Sequence, residues 1–280
     1  MKIIDSHVHI YPSFLEDRRE AIAAREPWFD LLSASRVHKW GTAEQLVEAM
    51  DEAGIASSCV TSFAFLDQGL CREMNDYVLE AARRFPGRVI PLAVVSPTRP
   101  GAVREAERAF DLGAVGLGEL FPDGQRFDLQ DEAALRQICG LCVERGKRLM
   151  IHTAEQAGHQ YPGKGAYGAR EAAAFCRNFP QAAVTFAHFG GGLWAFESMP
   201  EMRLLLQNAS YDTAAWPWLY DAKVINAIFA IGAGDKVMFG SDWPILSFSR
   251  YKKLLDESAL SNEQQNTLLE GCASRLYRGR

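Results

Sequence analysis

The chain reads as a closed (β/α)8 barrel, and three observations point there. Apolar, β-rich runs alternate with segments of helical periodicity from one end of the sequence to the other. Strands that alternate with helices must pair in parallel, and eight such units in about 250 residues suit a barrel. The histidines and a few acids gather where those strands should end, the rim at which barrels of this kind carry their chemistry. An open doubly wound sheet is the second choice.

The expected strands cover residues 2–10, 55–62, 88–95, 114–120, 148–152, 183–188, 209–213 and 236–241. After the first comes a long insertion, residues 11–41, with Trp28, Phe29 and Trp40 beside Arg25, Arg36 and His38. A connection of that length in a compact domain is expected to be functional, and its aromatics suit a lid. The same aromatics would also serve a homodimer interface. Thr42 with Gln45 forms a capping-box pattern that opens a helix, and Gly54 closes it. On a later helix, Cys139 and Cys142 share a stripe with Leu135, Ile138 and Val143; no second cysteine pair follows, so the pair is expected to pack in the core. Ser261 with Gln264 starts an extra C-terminal helix. No composition break, repeat or low-complexity tract divides the chain, which implies one domain over residues 1–280.

Composition narrows the function. With 48% hydrophobic and 23% charged residues the chain suits a soluble globular protein. A net charge of -5 supplies no basic field for nucleic acid or an anionic membrane, so a small molecule is the expected partner. The longest apolar run, residues 224–233, is broken by Asn226 and is too short to span a bilayer. The N-terminus lacks the pattern of a secretory signal, and six scattered cysteines suit reduced thiols; both lead to a cytoplasmic expectation. Three motifs are rejected. "GLGELF" has Phe121 where a dinucleotide fingerprint needs glycine, "HFGGG" lacks the Lys-Ser/Thr of a phosphate loop, and no Gly-x-Ser-x-Gly elbow is present.

"DSHVHI" raises the main question. Side chains of a strand alternate, so His7 and His9 face one side together with Ile3 and Asp5, while Ile4, Val8 and Ile10 face the other. Two imidazoles converging from one strand can share a cation, although a hydrogen-bonded core pair would look the same. The other strand ends decide it: Glu119 ends the fourth, His152 the fifth, His188 the sixth and Asp242 the eighth. Four of the six histidines, with two acids, therefore meet at one rim. Burying them without a cation would cost several kcal/mol of desolvation, on the order of that for an unpaired ion. Imidazole and carboxylate without thiolate suit a divalent metal, zinc first, with manganese, iron, cobalt or nickel as the other ions such ligands take. Asp5 is expected either to hold one of the imidazoles by a hydrogen bond or to cap local backbone.

The order H-x-H, Glu, His, His, Asp on strands one, four, five, six and eight resembles the amidohydrolase superfamily, and within it the amidohydrolase-2 branch, relatives of aminocarboxymuconate semialdehyde decarboxylase. "DSHVHI", the His152 strand, "HFGG" and "GSDWP" carry the resemblance, which runs from Ile3 to about Tyr277. In the decarboxylase-like members it implies one metal held by His7, His9, His152 and Asp242, with His188 as a nearby acid or base. Glu119 departs from that pattern. It is similar to the bridging carboxylate of two-metal members, in which His7, His9 and Asp242 would hold one ion and His152 and His188 another. One or two ions per chain are thus implied.

Glu119 favours hydrolysis at this stage: a metal-activated water, with Asp242 as general base, attacking a small amide, lactone or ester. The alternative is decarboxylation of a small unsaturated or aromatic acid at the same site, with His188 as proton donor. A catalytically silent metal-binding scaffold would differ by a coordinatively closed site. A nuclease is disfavoured by the acidic balance and the lack of a Lys/Arg cluster. Substrate contacts are expected among Trp28, Trp40, Phe63, Phe65, His159, Tyr161, Lys164, Tyr167, Trp216 and Trp218.

Overall fold

The eight apolar runs form parallel strands that hydrogen-bond in sequence order around a barrel. In the computed structural model, which describes residues 2–35, 38–158 and 160–278, they are β1 (Ile3–His9), β2 (Ile55–Thr61), β3 (Val89–Ala93), β4 (Gly116–Leu120), β5 (Arg148–Ile151), β6 (Val184–Phe186), β7 (Ala209–Asp212) and β8 (Val237–Met238). Closure runs through the segment after β8: Ser6 N–H donates to Phe239 O at 2.8 Å, His9 N–H to Trp243 O at 2.8 Å, and Asp242 N–H to His7 O at 3.0 Å. The strands match the expected positions, but β6 and β8 stop early. His188 (φ 56°) and Asp242 (φ 60°) lie in the left-handed region, which no strand can contain, so both sit in turns just beyond their strands.

Helices cover the outside. The helix Ala43–Ala53 has its capping box complete, Thr42 with Gln45, and ends on Gly54 at φ 71°. Helix Glu132–Glu144 buries Cys139 and Cys142 as expected, while Val143, placed on the same stripe by its sequence spacing, is 39% exposed. Burial pushes both thiols up, Cys142 to about 12, so neither is a reactive thiolate at neutral pH. The C-terminal helix starts at Asn262 behind the Ser261 capping box. It winds on in wider turns to Arg278. That path brings Cys272, Ala273 and Tyr277 against Ile4, Cys59, Ile90, Leu92, Met150 and Met238. There the Tyr277 hydroxyl lies 3.1 Å from Thr185 Oγ1.

The insertion after β1 is a packed layer. Three short helices, Phe14–Asp17, Arg19–Ala23 and Pro27–Ser33, place Leu15, Ile22 and Phe29 in a core of their own with Phe63, Phe65, Leu70, Met74 and Val94. Glu26 ties it down, its carboxylate accepting from Leu66 N–H at 2.9 Å and Asp67 N–H at 2.7 Å. Arg36 of the insertion lies outside the described residues. No helix among the described residues is long and apolar enough to cross a membrane.

Candidate metal centre

The six residues singled out at the strand ends meet at one place, in two groups: His7, His9 and Asp242, and Glu119, His152 and His188. Within each group one ligand atom per residue lies within 4.8 Å of the others. His7 and His9 project from the same face of β1, and their Nε2 atoms are 3.0 Å apart. Asp242 Oδ1 lies 3.8 Å from the first and 3.4 Å from the second. On the other side, His152 Nδ1 and His188 Nε2 are 3.2 Å apart.

Glu119 stands between the groups and faces both. Its Oε2 is 3.5 Å from His7 Nε2 and 3.6 Å from His9 Nε2, while its Oε1 is 2.9 Å from His152 Nδ1 and 3.3 Å from His188 Nε2. The two glycines before it stand where any side chain would collide with β5. A Cβ on Gly118 (φ 141°) would lie 2.5 Å from the Met150 carbonyl oxygen, and one on Gly116 would lie 2.4 Å from that of Arg148. They let β4 press against β5, which carries His152 next to Glu119.

Two imidazoles are locked in orientation from behind. His7 Nδ1 lies 2.9 Å from Asp212 Oδ2, a carboxylate fully buried at the end of β7. Since a carboxylate accepts, Nδ1 carries the proton and the His7 Nε2 lone pair points to the centre. Asp212 Oδ1 accepts from the backbone N–H of His188 at 2.9 Å and of Ala214 at 3.0 Å. His188 Nδ1–H in turn donates to Ala214 O at 3.1 Å, so Nε2 of His188 also faces inward. Asp212 was not among the sequence candidates, although it ends a strand by the same rule that found the others. Asp5, of which two roles were expected, takes the backbone one: its Oδ1 accepts from His7 N–H at 3.1 Å and Ser241 N–H at 3.0 Å, which also pins β1 to the turn carrying Asp242.

Electrostatics favour positive charge here. Burial opposes ionisation of His7, but Asp212 and Glu119 raise it well above the usual imidazole range. His188 is treated alike: against burial, the hydrogen bond and charge of Glu119, then the charge of Asp242, lift it to about 9. Burial would raise Asp242, yet its hydrogen bond to His9 and the charges of His7 and His188 hold it well below the carboxylate range. Nitrogen and oxygen donors, with His7 and His188 held at Nδ1 from behind so that Nε2 faces inward, in a field that attracts cations, fit a divalent metal. Two of the donors, His188 and Asp242, sit at positive φ, a strain of about 1–3 kcal/mol each that the surrounding bonds must hold.

Rings line the approaches. Phe121 packs on His152 at 4.3 Å and meets Trp28 edge-on at 5.0 Å. Of the expected substrate contacts, Phe65 and Trp216 are core residues, Phe63 is buried beside Phe29, and Trp40, Tyr161 and Trp218 are exposed. His159 lies outside the described residues.

The sequence model of the family described as Amidohydrolase matches residues 4–279. No curated protein matches the chain. Among solved structures, it is similar to the 5-carboxyvanillate decarboxylase of Sphingomonas paucimobilis, at 14% identity and TM-score 0.80 over 99% of both chains. It is similar to that of Novosphingobium aromaticivorans complexed with manganese and 4-hydroxy-3-methoxy-5-nitrobenzoic acid, at 16% identity and TM-score 0.76 over 99% of this chain and 96% of the other. A 2,6-dihydroxybenzoate decarboxylase from Rhizobium follows at 17% identity, TM-score 0.74 and 99% of both chains. These likenesses overturn the hydrolytic expectation, in which Asp242 served as base to a metal-activated water attacking an amide, lactone or ester. The site gives a physical reason for the error. Glu119, on whose position that expectation rested, lies against the second pair of histidines, 2.9 Å from His152 Nδ1 and 3.3 Å from His188 Nε2.

Proposed function

The chain belongs to the amidohydrolase family, and on that footing we propose that it is a metal-dependent lyase removing the carboxyl group of a small aromatic or unsaturated acid. The observation that carries this reading is His188. Its Nδ1 donates to Ala214 O and its Nε2 faces the centre, 3.3 Å from Glu119 Oε1, which places it to deliver a proton there. Decarboxylation breaks the bond between carbon and carboxylate, leaves the electron pair on that carbon, and is completed when a proton reaches it; hydrolysis would need a base instead. The decarboxylases of the same fold support the reaction class.

His7, His9, Asp242 and His152 would hold the ion, with Glu119 between them and His188. A divalent cation, when bound, supplies a Lewis-acid anchor for the carboxylate and a neighbouring oxygen of the substrate. Zinc and manganese both suit the donors, and manganese is the ion in one similar structure. A second ion at Glu119, His152 and His188 would compete with the proton on His188. Phe121 and Trp28 limit water around His152. The buried free cysteines support a reducing, cytoplasmic setting.

The test is release of carbon dioxide from a panel of hydroxybenzoates and unsaturated acids by protein loaded with manganese or zinc. In heavy water the product should carry one deuterium at the vacated carbon, and His188→Gln should lose about 100-fold or more in kcat while keeping its metal. Undiminished turnover in His188→Gln would remove it as proton donor, and no carbon dioxide from any acid would overturn the reaction class.

A further inference from the structure

The imidazoles of the centre are held in different ways. His7 and His188 are each fixed at Nδ1 by an oxygen behind them, Asp212 Oδ2 at 2.9 Å and Ala214 O at 3.1 Å. His152 is turned the other way round: its Nδ1 faces the centre, 2.9 Å from Glu119 Oε1 and 3.2 Å from His188 Nε2, so its Cδ2–Nε2 edge points away. It is also the most exposed of the six, with 19% of its side chain accessible against 10% or less for the others.

That outer edge meets the loop that follows β5. A Cβ on Gly165 would lie 3.1 Å from His152 Cδ2, 3.2 Å from His152 Nε2 and 3.2 Å from Asp123 Oδ2, so bare backbone sits against the ring. Gly165 lies outside the left-handed region, and alanine there would meet no backbone strain of that kind; the close approach is what the glycine serves. Phe121 packs on the same ring at 4.3 Å. The loop itself is held by few contacts. Asp123 Oδ2 accepts from Ala166 N–H at 3.0 Å, and Ala154 N–H donates to Tyr167 O at 2.8 Å. Gly163 lies against Leu32 of the insertion, where a Cβ would come within 2.7 Å of Leu32 Cδ2. Among residues 155–158 and 160–168 only Gly165 and Gly168 are buried, so apolar burial contributes little and these contacts decide where the loop rests.

We infer that Gly165 and Asp123 are positioning residues for the metal ligand His152: Asp123 holds the loop in place, and the Gly165 backbone backs the imidazole so that Nδ1 is aimed at the ion. The inference rests on the ligand set proposed above. A metal site tolerates only about 0.5 Å of displacement of its ligands. A methyl group at 165 would enter at 3.1–3.2 Å from the ring and from Asp123, which it can do only by moving the imidazole or the loop.

The test is a double-mutant cycle read in metal affinity. Manganese or zinc binding is measured by competition with a chelator in wild type, Gly165→Ala, His152→Ala and the double variant. The metal-free melting temperature of each reports on the fold, and the visible spectrum of each cobalt-loaded protein reports on coordination. Gly165→Ala should bind metal about tenfold more weakly and shift the cobalt bands, while its metal-free melting temperature stays within about 2 °C of wild type. In the His152→Ala background the same methyl should change affinity by less than about twofold, since the ring it displaces is gone. Asp123→Ala should weaken binding by about threefold, and Asp123→Asn, which keeps an oxygen for the Ala166 N–H, should restore it. Wild-type affinity in Gly165→Ala, or an equal loss with and without His152, overturns the inference. If Gly165→Ala does not fold, the Asp123 pair decides: a loss in Asp123→Ala regained in Asp123→Asn supports the inference, and wild-type affinity in Asp123→Ala overturns it. Full metal affinity in His152→Ala removes His152 from the ligand set and the inference with it. Coupling between 165 and 152 in a protein that releases no carbon dioxide supports the inference and overturns only the reaction class.

Discussion

Asp212→Asn tests how the centre is built, because it turns one carboxylate oxygen into an amide donor and changes almost no volume. The Asn carbonyl can take the place of Oδ1 and keep the bonds from His188 N–H (2.9 Å) and Ala214 N–H (3.0 Å). Its NH2 then faces His7 Nδ1 across the 2.9 Å now spanned by a hydrogen bond to Oδ2. Two donors cannot face each other, so His7 must move its proton to Nε2, the atom aimed at the metal. A hydrogen bond to a charged group is worth about 1.5–3 kcal/mol, which converts to about 10–100-fold in metal affinity. Loss of a carboxylate behind a metal-binding histidine gives the same range, about 10–100-fold. The assay is competition with a chelator for manganese or zinc at fixed free metal, followed by the melting temperature without metal. Asp212→Ala, which also strands two buried amides, should lower the latter by far more than Asp212→Asn. Metal affinity in Asp212→Asn within twofold of wild type would refute the tautomer argument.

Glu119→Gln should saturate at one ion per chain, as wild type does when free zinc is raised, since Glu119 stands between the ligands and His188 rather than among them; two ions in wild type and one in the variant would show that Glu119 bridges. Asp5 sets a pH dependence in the metal-free protein. Burial raises its carboxyl to about 7 against the hydrogen bonds of Ser241 and the His7 amide, so between about pH 4 and 7 the unfolded chain has released a proton that the folded chain retains, and stability falls with rising pH across that window. The ceiling is roughly 4 kcal/mol, from about three units at 1.36 kcal/mol each. Asp5→Asn, which keeps an acceptor for both amides, should flatten the decline in melting temperature between about pH 4 and 7, and an equally steep decline would exclude Asp5 as its source.

Strand ends were legible because a barrel of apolar strands leaves few reasons for a histidine or an acid inside it, and the same rule, applied to the end of β7, would have found Asp212. An aspartate before Thr213 and Ala214 has the spacing of a local cap as well, and Asp212 does accept from Ala214 N–H. The capping boxes at Thr42 and Ser261 were legible because both of their hydrogen bonds are local. The helices of the insertion were not: each is seven residues or shorter, and none has a side-chain cap. Their stability comes from contacts with Phe63, Phe65 and Leu70, residues that follow β2 and that no local pattern connects to them.

Why the sequence points to a cluster of residues but not to one reaction follows from where protons sit. Imidazoles and carboxylates are visible as residue types, but hydrolysis and decarboxylation differ in whether the centre offers a base or an acid. That is decided by partners distant in the chain. In the reading proposed above, His188 carries the proton because Ala214 O holds its Nδ1 and Glu119 faces its Nε2, whereas Asp242 lies among His9, His7 and His188. The backbone adds a second layer that residue identity does not announce. At φ 56° and 60° the turns at His188 and Asp242 lie in the left-handed region, uncommon for residues other than glycine though histidine and aspartate enter it more readily than most, and both side chains reach the centre from there. If that aim matters, relief of the strain should not help: His188→Gly or Asp242→Gly would ease the backbone yet remove the group it positions, so a gain in melting temperature accompanied by loss of metal or turnover is the expected pairing. A loss of melting temperature equal to that of Ala at the same position would show that the turns are not strained and that the side chains alone hold them.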